Sequence, residues 1–457
     1  MKNYIKYSFI AFISMAFAVS SCDILDSQLP QEQLAPEQVW VDNSSVQAAL
    51  IGAYSSLQSA NYYGLRFFAF AGMSADEISW TGTFPTFGQI ANRQVLANNV
   101  ELTNYWNVAY AGINRANNII ANVPGITDAA LNKDVAIAEA RFLRALHYMG
   151  LLSWFGGTPT GFANSAGLGV PLITTPTITP GDAVPQPRAT EAEVWALINS
   201  DLEFAIEKLP VGGVARANKN AAIGLKARAA LYQGDWAEAE ARASSIITGT
   251  GSDLLPIFAD LFLAKNSSES LFELQFDPVN SNTIAFFFFP TSRGGRNELA
   301  PSIDFLAAHQ VGDARLRVNN GSAAPNPAAG TSAKHFRITG GDDNVIILRK
   351  GEMYLIAAEA AAKANAANLD KSNQLINAIR NRAGLAPVTA TSVQEVEDFV
   401  INERRFELAF EGHRWFDLRR TNRVVSLFNI ETFRALMPIP EREVLTSDGV
   451  IAQNPNY

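Results

Sequence analysis

The sequence predicts an all-α fold: helix pairs as scaffold, long irregular loops between them, and a few short strands. Three observations carry this. Apolar and small residues recur three and four positions apart over much of the chain, the period of a helix with one buried face. The small-residue run AAIGLKARAALYQGDWAEAEARASSII (221–247) reads as two helices joined by a tight turn at Gly234-Asp235-Trp236, the layout of a tetratricopeptide unit. Strand-like runs are short: SLFELQFD and IAFFFFP, in a region where Gly, Asn and Pro punctuate the rest.

Taken in order, the chain starts with Lys2 and Lys6, an apolar run over 7–19 and the small residues of VSSC, which ends at Cys22. A basic start, a short apolar segment and small residues make a secretory signal, and the run is short for a membrane span. The chain has a single cysteine, and it falls where a lipoprotein signal peptidase would leave it as the first residue. Lipidation of Cys22, with acyl chains such as palmitate, would anchor the protein and leave no thiol for disulfide or zinc chemistry. The polar, proline-containing stretch that follows reads as a tether.

NSSVQAALIGAYSSLQSA (43–60) is a capped helix with Val46, Ala49, Leu50, Ala53 and Leu57 inward. Residues 79–99 read as irregular. TNYWNVAYAGINRANNIIANV (103–123) carries Trp106, Tyr110, Ile113, Asn117 and Ile120 on one stripe, with Trp106 and Tyr110 taken as core. The next helix places Ala138, Phe142, Ala145, Met149 and Leu152 inward and stops at Gly156-Gly157. A Gly/Pro/Thr loop runs to Arg188, and Thr190 caps a helix that ends at Pro210.

Three helices follow from 348 to 420. The second starts near Asp370 as its N-cap and ends before Gly384, a position that needs tolerance of positive φ. Ser392 and Glu395 form a capping box for the third, whose inward stripe is Val396, Phe399, Glu403, Phe406 and Phe410. A carboxylate within an aromatic face must be paired, and Arg380, Arg382, Arg414 and Arg419 are the available partners. The reading is a structural ion pair rather than a catalytic acid. In the tail, Pro438 and Pro440 argue against helix.

A net charge of −8 with no basic block argues against nucleic acid as the main partner. His147, His309, His335 and His413 show no metal-ligand spacing, and no HExxH, G-x-S-x-G, phosphate-binding loop or dinucleotide fingerprint occurs. No metal and no cofactor is implied, and no catalytic residue is assigned. Asp76 and Glu77 would serve as a glycosidase pair only with another carboxylate facing them across a cleft.

Three phrases carry a family resemblance: RKGEMYLIAAEA (349–360), INAIRNRAGL (376–385) and INERRFELAFEGHRWFDLRR (401–420). Together they resemble the C-terminal signature of the SusD/RagB family. AEARFLRALHYMGLLSWFGGTP, GVPL (169–172), INSDLEFAIEKLP, MPIPEREV and QNPNY are similar to further family landmarks in the family's order. The resemblance implies an organisation of signal peptide (1–21), lipidated tether (22–45), N-terminal helical region (46–270) and C-terminal region (271–457), the last two packed as one globule. It also implies a lipid-anchored protein of the outer membrane, facing the cell exterior. Such a protein binds oligosaccharide as capture subunit and lid of a SusC-like TonB-dependent transporter. An oligopeptide-capturing subunit of the same kind, a helical glycan hydrolase and a protein-binding tetratricopeptide scaffold stay open as alternatives.

The loops offer a matching chemistry. Sugars present C–H faces to aromatic rings and hydroxyls to amides and charges. Trp80, Phe84, Phe87, Asn92 and Arg93 fit that in the first irregular stretch, and Phe287, Phe289, Arg293, Arg296 and Asn297 fit it in the second. A four-Phe strand would put alternate rings on opposite faces, leaving two for a ligand.

Overall fold

Each long helix starts where a short polar side chain can hold the free amides of its first turn. In the computed structural model, which describes residues 40–162, 167–249 and 254–457, Asp42 caps α1 (Asn43–Gln58) in a capping box with Ser45. α2 (Arg66–Ser74) follows, buried almost throughout, then the short strand β1 (Ile78–Trp80) and α3 (Pro85–Ala91). Asn99 caps α4 (Val100–Asn122) and Asn132 caps α5 (Lys133–Phe155). The predicted inward stripes hold in most positions: Val46, Leu50, Ala53 and Leu57 are fully buried on α1, and Ala138, Phe142, Ala145 and Leu152 on α5. Ala49 on α1 and Tyr110 and Ile120 on α4 are instead half-buried, so Tyr110 is not core. Cys22, the signal segment and most of the tether lie outside the described residues.

The loop after α5 is less irregular than its composition suggests. β2 (Leu168–Pro171) pairs with β3 (Arg188–Thr190) antiparallel, and Thr190 closes a capping box with Glu193 at the start of α6 (Glu191–Lys208). The small-residue hairpin is α7 (Lys219–Gln233) and α8 (Trp236–Gly249), with Gly234 at φ +72° between them. Ala222, Ala227, Ala229 and Ala230 on α7, with Ala239 and Ala243 on α8, are buried. Short side chains let two helix backbones approach closely.

Residues 254–349 contain α9 (Asp260–Leu263), β4 (Ser270–Leu274), α10 (Ile284–Phe288), β5 (Leu299–Pro301), α11 (Ile303–Ala307), α12 (Arg315–Asn319) and β6 (Val345–Arg349). β4 pairs with β6 and β5 pairs with β1, both antiparallel. The IAFFFFP run, expected as a strand, is therefore a helical turn. Residues 79–99 likewise contain α3. Pro85 sits at its first turn, where a missing N–H costs nothing.

The C-terminal helices are α13 (Lys350–Lys363), α14 (Leu369–Arg382) and α15 (Val393–Glu407), then α16 (Arg414–Arg420), α17 (Val424–Phe428) and α18 (Glu441–Thr446). α14 is capped by Asn368 rather than Asp370, and Gly384 has the left-handed φ of +75° that its position requires. α18 starts directly after Pro440, so the prolines exclude helix only upstream of themselves. The long helices form a continuous stack in which α1 packs on α4, α4 on α5, α5 on α6, α6 on α7, α7 on α8, and α8 on α13. α13 in turn packs on α14 and α15. Each pair covers the face its neighbour leaves bare, as in a solenoid.

Under α15 lies a dense ion-pair network. Glu403, 1% exposed, accepts from Arg315 at 2.7 Å and Arg380 at 2.5 Å. Arg380 was among the expected partners; Arg315 comes from α12, far away in the chain. Arg382 serves Glu269 and Glu407 instead, Arg414 serves Asp76, and Arg419 donates to the carbonyls of Ser153, Gly156 and Thr158. Val396 and Phe406 are buried as predicted, while Phe399 is only partly buried and Val400 takes the inner position. Phe410 is buried too, but beyond the end of α15, at φ +62°.

Candidate functional site

The candidate site is built on the shortest sheet. β1 and β5 meet with Ile78 opposite Pro301, Ser79 opposite Ala300 and Trp80 opposite Leu299. This pairing brings two chain segments, both singled out for their aromatics, onto one surface. The root of β1 is fixed by charge: Asp76 accepts from Arg414 at 2.9 Å and Arg405 at 2.8 Å. Burial pushes its carboxyl up, but the two guanidiniums outweigh burial and hold it below its ordinary value. Glu77 beside it is fully buried; burial and then the Asp76 charge raise it to about 8.

Beyond the pairing, the chain turns on Gly82. A Cβ there would lie 2.3 Å from the Trp80 ring, so the turn closes against the indole only because the residue is glycine. Thr81 clips the turn to the second segment, its N–H donating to Glu298 O and its hydroxyl to Asn297 O, each at 2.9 Å. The rings then form a patch. Trp80 stacks near-parallel with Phe84 at 6.2 Å and lies 4.8 Å from Phe87, and Phe87 stacks with Phe287 at 6.2 Å. The Arg296 guanidinium sits over Phe84 (4.9 Å) and Phe287 (5.5 Å) and pairs with Glu298 at 2.5 Å. Phe84 is 39% exposed and Trp80 half-buried. Flat apolar faces thus stand beside an arginine and a carboxylate, the combination that takes a sugar ring on its C–H face and its hydroxyls at the rim.

From the patch, the exposed Asn297, at φ +55°, leads across β5 towards Gly330. There a groove of about 380 Å³ is lined by Pro301, Leu306, Asn320, Ser322 and residues 327–331.

Two profiles match the chain. One, described as "SusD family", covers residues 326–432; the other, "Starch-binding associating with outer membrane", covers 23–231. The chain belongs to the SusD/RagB family. A SusD-like protein of Formosa agariphila is 26% identical over 99% of this chain and 100% of its own. A SusD superfamily protein from Bacteroides thetaiotaomicron superposes with a TM-score of 0.76 at 25% identity, over 90% of this chain and 99% of that one. The surface glycan-binding protein A of the same organism, solved with laminarihexaose, gives 0.74 at 21% identity, over 91% and 100%. The second profile's description associates this SusD group with the outer membrane, and no helix among the described residues is long and apolar enough to cross a membrane.

Within this SusD-type scaffold the ten singled-out residues separate. Trp80, Phe84, Phe287 and Arg296 come together at the patch surface. Phe87 is 1% exposed and forms its floor. Phe289 is fully buried in a separate cluster with Phe258 and Phe262, so it is core and not ligand surface. The reason is the helix: a helical turn points the adjacent residues Phe286 and Phe287 outward, where a strand would have pointed alternate ones. Phe286, which was not singled out, is 39% exposed. Arg93 is withdrawn too. It donates to the carbonyls of Ser74 and Ala75, both at 2.7 Å, and stacks 3.7 Å over Phe428. Asn92 ends α3 and is exposed, and Arg293 is exposed on the turn before Gly294.

Sequence reasoning missed Gly82, Thr81 and Glu298, all fixed by the β1–β5 pairing. A three-residue strand leaves too little alternation to read. The remaining acids considered for chemistry are engaged elsewhere: Asp76 with Arg405 and Arg414, Glu403 with Arg315 and Arg380.

Proposed function

We propose that this chain is a glycan-capture protein of the outer surface, lipid-anchored through Cys22. On this reading it serves a SusC-like TonB-dependent transporter as binding subunit and lid. The observation that carries it is the patch of Trp80, Phe84 and Phe287 under Arg296 and Glu298 on the β1–β5 platform. Rings for C–H faces, with a cation and an anion for hydroxyls, suit a neutral or weakly charged oligosaccharide. The structural relative solved with laminarihexaose supports glycan as the ligand class.

No covalent step belongs to this reading. Hydrolysis of a glycoside needs two carboxyls about 5–9.5 Å apart across the scissile bond, and the patch carries Glu298 already paired to Arg296. The signal (1–21) and tether (22–45) deliver and anchor a unit in which 46–270 and 271–457 act as one body.

The test is native-gel retardation of the purified mature protein in laminarin, starch, xylan, mannan and alginate, with reducing ends assayed in parallel. Retardation by a glycan without new reducing ends, lost in Trp80→Ala, is the expected result. New reducing ends would overturn the non-enzymatic part. Retardation by none, with binding to peptides, would replace glycan with peptide capture.

A further inference from the structure

A second cavity, of about 420 Å³, lies between α4, the 171–186 loop and α18 and shares no lining residue with the aromatic patch. That volume lies within the range of small-molecule sites. Its floor is Tyr110, half-buried, with its hydroxyl donating to Pro171 O at 2.8 Å and its ring tilted 4.9 Å from Trp106. Pro171, Ile173, Val184, Pro185 and Ile451 supply apolar walls.

Polar groups ring the mouth. The amides of Asn107 and Gln186 are exposed there, and Glu443 stands half-buried. The Tyr110 hydroxyl is tied to Pro171 O and its ring packs on the buried Trp106, so the floor is held before any ligand arrives. Preorganisation of this kind lowers the cost of binding.

The chemistry narrows the ligand. A cage for an ammonium group needs ring faces on several sides, but Trp106 is only 3% exposed, leaving Tyr110 as the single presented face. One aromatic face, two amides and one carboxylate match one sugar ring. We propose that this cavity is a second subsite, taking a single pyranose residue of a glycan, with Tyr110 under the ring and Glu443, Asn107 and Gln186 on its hydroxyls.

The subsite rests on the glycan reading above and extends it. Tyr110 floors the cavity from α4, and Glu101 in the first turn of that helix accepts from Thr86 of α3, the helix that carries Phe87, at 3.1 Å. At 1.5 Å per residue the two positions are about 14 Å apart along the helix.

The test compares the unmodified protein, Trp80→Ala/Phe84→Ala, Asn107→Ala/Glu443→Gln and the fourfold variant. Each is run by native gel and calorimetry against the same laminarin, starch, xylan, mannan and alginate. Circular dichroism and thermal melts check that each variant folds. Asn107→Ala alone is the fallback if Glu443→Gln does not, since Asn107 is exposed. The expected result is a loss of about tenfold in affinity from the cavity variant, the loss of one good contact, with the fourfold variant losing more than either double. An unchanged affinity in the cavity variants, with retardation abolished in Trp80→Ala/Phe84→Ala, would overturn the second subsite and leave the first intact. Loss only in the cavity variant would keep the subsite and remove the patch. Retardation of the unmodified protein by none of the glycans would overturn both.

Discussion

Two arginines make the same constellation in two places, and only one of them faces outward. Arg315 lies 5.7 Å from the Phe406 ring centroid and pairs with Asp313 and Glu403, its side chain 1% exposed. Arg296 lies 4.9 Å from the Phe84 ring centroid and pairs with Glu298, its side chain 36% exposed. In each case the guanidinium rests on a ring and reaches a carboxylate. The buried one closes a network that holds α12, α14 and α15 together. The exposed one leaves ring faces and hydrogen-bonding capacity for a ligand. Composition alone does not separate structure from recognition here; what covers the constellation does.

The comparison is most easily broken at its buried end. Glu403→Ala leaves Arg315 and Arg380 with uncompensated charge in the interior, a change that costs about 3–5 kcal/mol. Denaturant unfolding should show that loss, whereas Arg296→Gln should leave the midpoint close to that of the unmodified protein, as exposed pairs do. If both variants unfold at the same midpoint, the contrast between the two sites is false.

A second way to separate the regions is pH. Glu407, in the buried network, is raised by burial, but Arg382, Arg349 and Arg315 outweigh it and bring it down to about 2. A carboxyl lowered on folding stabilises above its ordinary value of 4.5 and loses that contribution as pH falls towards 2. Glu77, at the root of β1, behaves oppositely. Burial and Asp76 raise it to about 8, so its contribution is full below 4.5 and is lost as pH rises through 8. Unfolding midpoints should therefore fall as pH drops below 4.5 and again as it rises from 4.5 to 8, and Glu77→Gln should flatten only the second fall. A fall between 4.5 and 8 that survives the substitution would assign it to another group.

At the exposed end the expected effects are on binding. Trp80→Ala removes the ring that joins Phe84 and Phe87, and should weaken glycan affinity at least about tenfold, the equivalent of 1.4 kcal/mol. Because Trp80 is half-buried, the cost in stability should stay below about 3 kcal/mol. Equal affinity in the variant, read by native gel, would move recognition off the patch.

How much of this was legible follows the length of the periodic signal. α1, α5 and the α7–α8 hairpin repeat their pattern for several turns, so their buried faces could be read directly from spacing. α15 gave away its buried carboxylate for the same reason, and one of its two arginines. The other, Arg315, arrives from a five-residue helix whose position no local pattern encodes. The candidate site suffers the same limit more severely. IAFFFFP suits a strand by composition, and five residues of helix were enough to exchange Phe289 for Phe286 at the surface. Arg93 looked like a ligand-binding arginine because it follows three aromatic residues and an amide in one short stretch; its partners, Ser74, Ala75 and Phe428, come from other elements.

The finest probe of the contrast is Gly82→Ala, which removes no ligand-facing group and leaves the buried network alone. The added methyl would meet the far edge of the Trp80 indole at 2.3 Å. That ring is half-buried rather than locked in the core, so it can swing away instead of straining the backbone. No positive φ is at stake at this position, which removes the usual cost of replacing a turn glycine. Stability should therefore change by less than about 1 kcal/mol. Glycan affinity should still fall, by about two- to fivefold, because the stacked pair Trp80–Phe84 loses its alignment and stacking energy depends on geometry. Tryptophan fluorescence should shift with it, reporting the displaced ring. A variant that binds as tightly as the parent while its fluorescence moves would show that the patch tolerates Trp80 in more than one pose, and that recognition rests on Phe84, Phe287 and Arg296.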